Sequence, residues 1–191
     1  MHCGLRLGSH PSTRRPACLQ QTSALDHTVV GLDYAFPWDG LIQAYKFRAA
    51  LHLRDLLLGP LMAALAQDAA AHTCDLLLSV PLSASGLRRR GYNQSHELAK
   101  PLARRLRLPY EPLALERIQH SHAQSLLPKS ERSRNVKGAF IVRPDALPRL
   151  QGRRVAIIDD VMTTGATLFE LASLLKRNGA AQVQAWVIAR A

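Results

Sequence analysis

Asp159 and Asp160 stand side by side at the end of the apolar run Val155-Ala156-Ile157-Ile158. After two intervening residues comes Thr163-Thr164-Gly165-Ala166-Thr167. Adjacent carboxylates can accept hydrogen bonds from sugar hydroxyls or face a divalent cation. Hydroxyls and a glycine at the opening of a helix suit a phosphate, because free amides and the positive end of the helix dipole meet there. Gly165 also lets the backbone approach a ligand closely. Carboxylates beside a bare phosphate cradle would repel the phosphate. The combination therefore points to a ribose phosphate, with the acids on the sugar or its cation. The simpler alternative is a strand, turn and helix with Asp160 or Thr163 as N-cap. The whole string of strand, acids, hydroxyls, glycine and helix favours the ribose-phosphate reading over that alternative. The rival phosphate motifs GxxxxGK[ST] and GxGxxG are missing from the chain.

The charge points the same way. Lysine and arginine number 25 against 14 acids, a formal net charge of +11. Residues 81–154 hold sixteen of the bases and five of the acids, so the whole excess lies there. A concentrated positive charge implies an anionic partner. The chain has 191 residues and is 47% hydrophobic, enough for one domain with a sizeable core, which excludes disorder for most of it. The longest apolar run, Leu56 to Ala66, is broken by Gly59-Pro60 and is too short to span a bilayer. The first residues show no apolar signal-peptide core. Three cysteines (Cys3, Cys18, Cys74) are too few for a disulfide framework. These features fit a reduced, cytoplasmic setting.

The elements that must position the acids follow from periodicity. Residues 1–26 read as poorly ordered, and the remainder, 27–191, as the domain. Thr28 to Tyr34 reads as a strand, and Trp38 to about His72 as helical, kinked or split at Gly59-Pro60. Asp75 to Val80 reads as a strand buried on both faces, followed by a turn at Ser83-Ala84-Ser85-Gly86. Asn93 to about Arg107 reads as a helix whose Leu98, Leu102 and Leu106 share a face. Leu113 to Ile118 is a candidate strand, and residues 119–139 a long loop with a short helix. Arg154 to Ile158 reads as a second buried strand, Thr167 to Asn178 as a helix ended by Asn178-Gly179, and Val183 to Ala189 as a last strand. Strands alternating with helices predict an α/β fold with a mostly parallel sheet flanked by helices.

The string Asp159–Thr167 resembles the phosphoribosyl pyrophosphate (PRPP) motif of type I phosphoribosyltransferases. Further segments are similar to the ComF family, the phosphoribosyltransferase-like family associated with natural competence. They are Ser79-Val80-Pro81-Leu82, Arg88-Arg89-Arg90-Gly91-Tyr92-Asn93-Gln94, Gln124, and Glu131-Arg132-Ser133-Arg134-Asn135-Val136-Lys137-Gly138-Ala139-Phe140. The resemblance covers about residues 25–191. It implies a type I phosphoribosyltransferase-like fold with a flexible hood at 119–139. Asp159 and Asp160 would hold the ribose hydroxyls, directly or through Mg²⁺, as catalytic and metal residues. Thr163, Thr164, Gly165, Ala166 and Thr167 would bind the 5′-phosphate. Pro81, Leu82, Ser83, Arg88, Arg90, Lys129, Arg132, Arg134 and Lys137 would serve the pyrophosphate. Catalysis would rest on stabilising the leaving group and excluding water. Purine-type enzymes carry an acid where this chain has Thr163, which argues against a 6-oxopurine acceptor. ComF proteins usually begin with a four-cysteine zinc ribbon, and here Cys3 and Cys18 resemble the second members of its two pairs. The partner of Cys18 falls on Arg15, and that of Cys3 would precede Met1. The expectation is a remnant at 1–26 with no intact zinc site, through a start placed too late or a lost ribbon.

Other residues take plainer roles. Trp38, Tyr45, Phe47 and Trp186 are expected in the core, Lys46 and Arg48 on the surface, and Asn93 as a helix cap. Cys74 is expected to be a buried structural thiol. His120 and His122 lack the acids or cysteines that would make a metal site. Two functions stay open. One is a Mg²⁺-dependent phosphoribosyltransferase acting on an unknown acceptor. The other is a PRPP-sensing or binding module whose basic middle contacts single-stranded DNA or a helicase-type partner in DNA uptake. The basic segment 81–154 holds only Tyr92, Tyr110 and Phe140 as aromatics, which weakens base stacking within it.

Overall fold

The computed structural model describes residues 24–118 and 136–191. Its centre is a parallel sheet of four strands: β1 (His27–Asp33), β2 (Leu76–Ser79), β5 (Arg154–Met162) and β6 (Gln182–Arg190). Their order is β1-β6-β5-β2, and Tyr110 extends the far edge through a parallel bridge to Leu77. A two-stranded antiparallel piece, β3 (Leu115–Arg117) with β4 (Phe140–Val142), stands apart. The helices are α1 (Trp38–Phe47), α2 (Arg54–Gln67), α3 (Ala84–Arg90), α4 (Gln94–Leu106), the single turn α5 (Leu147–Leu150) and α6 (Ala166–Arg177).

The unbroken apolar character of β5 follows from its position. Val155 and Ile157 enter a core with Leu171, Leu175 and Val183, under α6 and β4. Ala156 and Ile158 enter the opposite core with Ile42, Leu61 and Leu98, under α1, α2 and α4. Successive side chains of a strand alternate faces, so a strand covered on both sides must be apolar throughout. Close contact between α2 and β1 depends on Gly31. A Cβ there would lie 2.8 Å from the Leu61 amide nitrogen and 2.9 Å from the Ile188 carbonyl.

Several expectations are corrected. The helical stretch after Trp38 breaks at residues 48–53, where Ala49 takes a φ of 54°, and not at Gly59-Pro60. Pro60 forfeits one bond inside α2. Buried Leu57, Leu58, Leu61 and Leu65 on either side of it anchor the helix through that loss. Ser83 to Gly86 is not a free turn but the start of α3. There the Ser83 hydroxyl caps by accepting from the Gly86 amide at 3.1 Å. Strand β5 continues past Ile158 to Met162, so Asp159 and Asp160 lie within it, with Asp159 opposite Val187 of β6. The N-cap of α6 is Gly165, not Asp160 or Thr163, and its φ of 80° accounts for the glycine. The antiparallel β3–β4 piece extends beyond the single strand expected there. Tyr45 and Trp186 are buried as expected, Trp38 is half-buried, but Phe47 is 66% exposed. Cys74 is buried, and burial pushes its thiol up to about 12, which suits an inert structural thiol. Residues 1–23, with Cys3 and Cys18, lie outside the described residues. So do 119–135, with His120, His122, Gln124, Lys129, Arg132 and Arg134.

Candidate functional site

Open parallel sheets bind ligands at the carboxyl ends of their strands. Here β5 runs four residues beyond the end of β2, and this edge opens onto two adjoining cavities. The first, about 430 Å³, is lined by Asp159, Val161 and every residue from Met162 to Leu168, with Val136 across from them. The second, about 480 Å³, shares Asp159, Thr163 and Thr167, and adds Asp160, Pro81, Leu82, Arg90 and Lys46 among others. The structure therefore joins the acids, the threonine loop and part of the loop after β2. Ser83 and Arg88 do not line either cavity: the Ser83 hydroxyl caps α3, and Arg88 is exposed on that helix. Lys137 is exposed beside Val136.

The threonine loop is set by its surroundings. Thr163 and Thr164 are exposed, and the Thr164 hydroxyl accepts from the Ala166 amide at 3.3 Å. Beneath the loop the buried Arg190 guanidinium donates to the carbonyls of Met162 (2.8 Å), Thr163 and Ala191. Arg190 thus fixes the start of the loop and places a positive charge under it.

The two acids differ. Asp159 Oδ1 accepts from the Ser95 hydroxyl at 2.8 Å and from the Asp160 amide at 3.0 Å. Burial, and next the neighbouring Asp160 carboxylate, raise its pKa above the usual carboxylate range. Asp160 Oδ1 accepts from the Val161 amide at 2.8 Å and from Lys46 Nζ at 3.1 Å. Its Oδ2 is buried without an aligned hydrogen bond, although the same ammonium lies 2.9 Å away. An acid oxygen left in that state suits a further cation or hydroxyl. Among the described residues no group of three His, Cys, Asp or Glu could hold a metal alone. Two carboxylates fit a Mg²⁺ that brings most of its ligands with it as phosphate oxygens and water.

The segment Arg90-Gly91-Tyr92-Asn93-Gln94-Ser95 ties this region together. Asn93 caps α4 by accepting from the Ser95 and His96 amides, while its amide group donates to the Val80 carbonyl at 3.0 Å. Tyr92 donates to the Tyr45 carbonyl, and Tyr45 donates to the Gln94 carbonyl at 3.1 Å. Arg90 donates to Gln94 and stands over the Phe47 ring, 5.2 Å from its centroid. One short segment thus links the loop after β2, helix α1 and Asp159. Reasoning from sequence missed Ser95, Arg190 and Lys46. Ser95 follows the cap residue on a helix start, which is a weak signal, and the other two carry none.

Comparison with known proteins agrees with this geometry. Residues 93–191 match the phosphoribosyl transferase domain. The fold resembles glutamine phosphoribosylpyrophosphate amidotransferase from B. subtilis, with a TM-score of 0.50 and 20% identity. That match covers 77% of this chain and 30% of the enzyme's chain. A second structure, an allosteric regulatory enzyme of purine biosynthesis, gives a TM-score of 0.51 at 18% identity over the same shares. The class is therefore the type I phosphoribosyltransferase-like fold, a mostly parallel sheet flanked by helices. Sequence relatives narrow it. The chain is 39% identical to DNA utilization protein YhgH of Escherichia coli K12, over 98% of this chain and 82% of that one. It is 34% identical to Competence protein F of Haemophilus influenzae, over 100% of this chain and 83% of the relative. The chain belongs to the ComF family of phosphoribosyltransferase-like proteins. No helix among the described residues is long and apolar enough to cross a membrane.

Proposed function

We propose that this protein binds PRPP and transfers its phosphoribosyl group to an acceptor, releasing pyrophosphate. The observation that carries the reading is the shared cavity of Asp159 and the Thr163–Thr167 loop, continuous with the Pro81–Leu82 side through Asp160. The 5′-phosphate would lie on the loop hydroxyls and the first amides of α6. Asp159 and Asp160 would accept from the ribose 2′- and 3′-hydroxyls. The diphosphate would extend toward Pro81, Leu82 and Arg90. In the transfer, the bond from the anomeric carbon to the diphosphate oxygen breaks and pyrophosphate leaves with the electron pair. The acceptor's nitrogen or oxygen forms the new bond and gives up a proton. Mg²⁺ held at Asp159 and Asp160 would supply neutralisation of the diphosphate charge. Arg90 adds a cation to the leaving group, and Ser95 orients Asp159. Thr163 offers no acid or base at the acceptor, which argues against a 6-oxopurine.

The test is thermal stability with PRPP and Mg²⁺. At one hundred times the dissociation constant, binding should raise the melting temperature by roughly 5–10 °C. Asp160→Ala should abolish the rise. A folded wild-type sample with no rise at millimolar PRPP would reject the reading. Screening nucleobases, amines and alcohols for pyrophosphate release then seeks the acceptor.

A second reading, a module contacting single-stranded nucleic acid, has one observation behind it. Phe47 lies outside the basic segment, yet it stands exposed under Arg90 beside exposed Arg48. The fold thus supplies the stacking surface that the basic segment lacks. On this reading Phe47→Ala weakens oligonucleotide binding at least five-fold in a fluorescence titration, more than it weakens PRPP binding. Unchanged oligonucleotide affinity would remove it.

A further inference from the structure

Asp160 is the least exposed carboxylate among the described residues, at 2%. A buried carboxylate needs a counter-charge. Its counter-charge comes from Lys46, which lies 114 residues earlier in the chain, near the end of α1. One ammonium spans both oxygens, at 3.1 and 2.9 Å, and so stands where a cation bound to Asp160 would stand. The hold is reversible by construction. The Lys46 side chain is 25% exposed, has a flexible four-carbon stem, and lines the cavity that also holds Arg90, Pro81 and Leu82.

We infer that Lys46 is the resident counter-cation of the acid pair, holding Asp160 in the ligand-free protein and yielding it to the ribose hydroxyl or divalent ion of an incoming phosphoribosyl donor. The inference rests on the phosphoribosyl reading above. Once displaced, the ammonium stays in the same cavity, within reach of the donor's diphosphate. The acid pair is therefore never left bare, and the lysine's charge passes from Asp160 to the leaving group. Two consequences have opposite signs. Lys46 competes with a free divalent ion for Asp160, yet it cooperates with the phosphorylated donor. A residue that merely braced the fold would affect both ligands in the same direction.

Two titrations on the full chain test this: Mn²⁺ alone by electron paramagnetic resonance, and PRPP with Mg²⁺ by calorimetry. Lys46→Met should bind Mn²⁺ at least ten-fold more tightly than wild type and PRPP at least ten-fold more weakly. Lys46→Arg, which keeps the charge, should return both toward wild type. Parallel weakening of both ligands, or no change in either, overturns the inference. Should Lys46→Met fail to fold, Lys46→Gln keeps a hydrogen-bond donor without the charge and is read in the same way. If wild type binds no PRPP, the phosphoribosyl reading fails. The Mn²⁺ comparison then decides by itself whether Lys46 competes for Asp160.

Discussion

The two ends of the parallel sheet treat their acids in opposite ways. At the amino end Asp75, Asp26 and Asp68 are each matched. Asp75, just before β2, accepts from the Arg154 amide at 3.0 Å and from its guanidinium at 3.1 and 2.8 Å, which clips β2 to β5. Those bonds hold the Asp75 carboxyl down at about 2. Asp26 accepts from the Val183 amide at 2.7 Å and pairs with Lys176 at 2.8 Å. Burial works against Asp68, but His27 at 2.7 Å and the Ala71 amide hold it below the usual range. At the carboxyl end two acids are adjacent, one is pushed up by burial and by its neighbour, and one carries a buried oxygen without an aligned bond. The amino end is arranged for the folded chain alone. The carboxyl end keeps a local cost in the folded chain, and cost of that kind concentrates at functional sites.

The sharpest break in this comparison is Asp159→Asn. It should weaken PRPP binding more than 100-fold by calorimetry, because the amide brings no charge to the cation and a weaker acceptor to a ribose hydroxyl. Stability should move the other way. A carboxyl whose folded pKa is raised contributes stability at low pH that is lost as pH rises through that pKa. Relative to wild type, the asparagine variant should therefore gain in melting temperature from pH 5 to pH 8. Equal curves for the two proteins at both pH values would contradict the strained-acid account. The opposite end gives the smaller effect. Asp75→Asn should lower the melting temperature by a few degrees at pH 7, since half-exposed ion pairs contribute modestly. Its folded pKa is lowered, so the contribution is present above the ordinary aspartate range and fades as pH falls toward about 2. PRPP affinity should stay within two-fold of wild type. A large loss of affinity in this variant would mean that the two ends are not independent.

Much of this was legible in the chain. The acids, the threonine loop and the parallel architecture follow from local order: an apolar run, two carboxylates, hydroxyls, a glycine and a helix. The tightly patterned Arg90–Gln94 segment was legible as important but not in its role. From the sequence it reads as charge facing an anion and as a helix cap. In the structure Asn93 does cap α4, while Tyr92 and Arg90 are engaged in joining α1 to the site. The break after Phe47 is not legible because Gly59-Pro60 is the stronger local signal. The packing of Leu57, Leu58, Leu61 and Leu65 outweighs it.

The sequence by itself determined which chemistry is available, because a strand ending in acids and a helix opening on hydroxyls are written in consecutive residues. It also located the positive charge. The tertiary structure alone decided which charges meet. Lys46 reads as an ordinary surface residue of a neutral segment, and Phe47 as core. Only the crossing of α1 over the carboxyl end of β5 sets the lysine against Asp160 and leaves the ring exposed under Arg90. Pairing across such distances depends on how layers pack, and side-chain spacing along one element carries no trace of it.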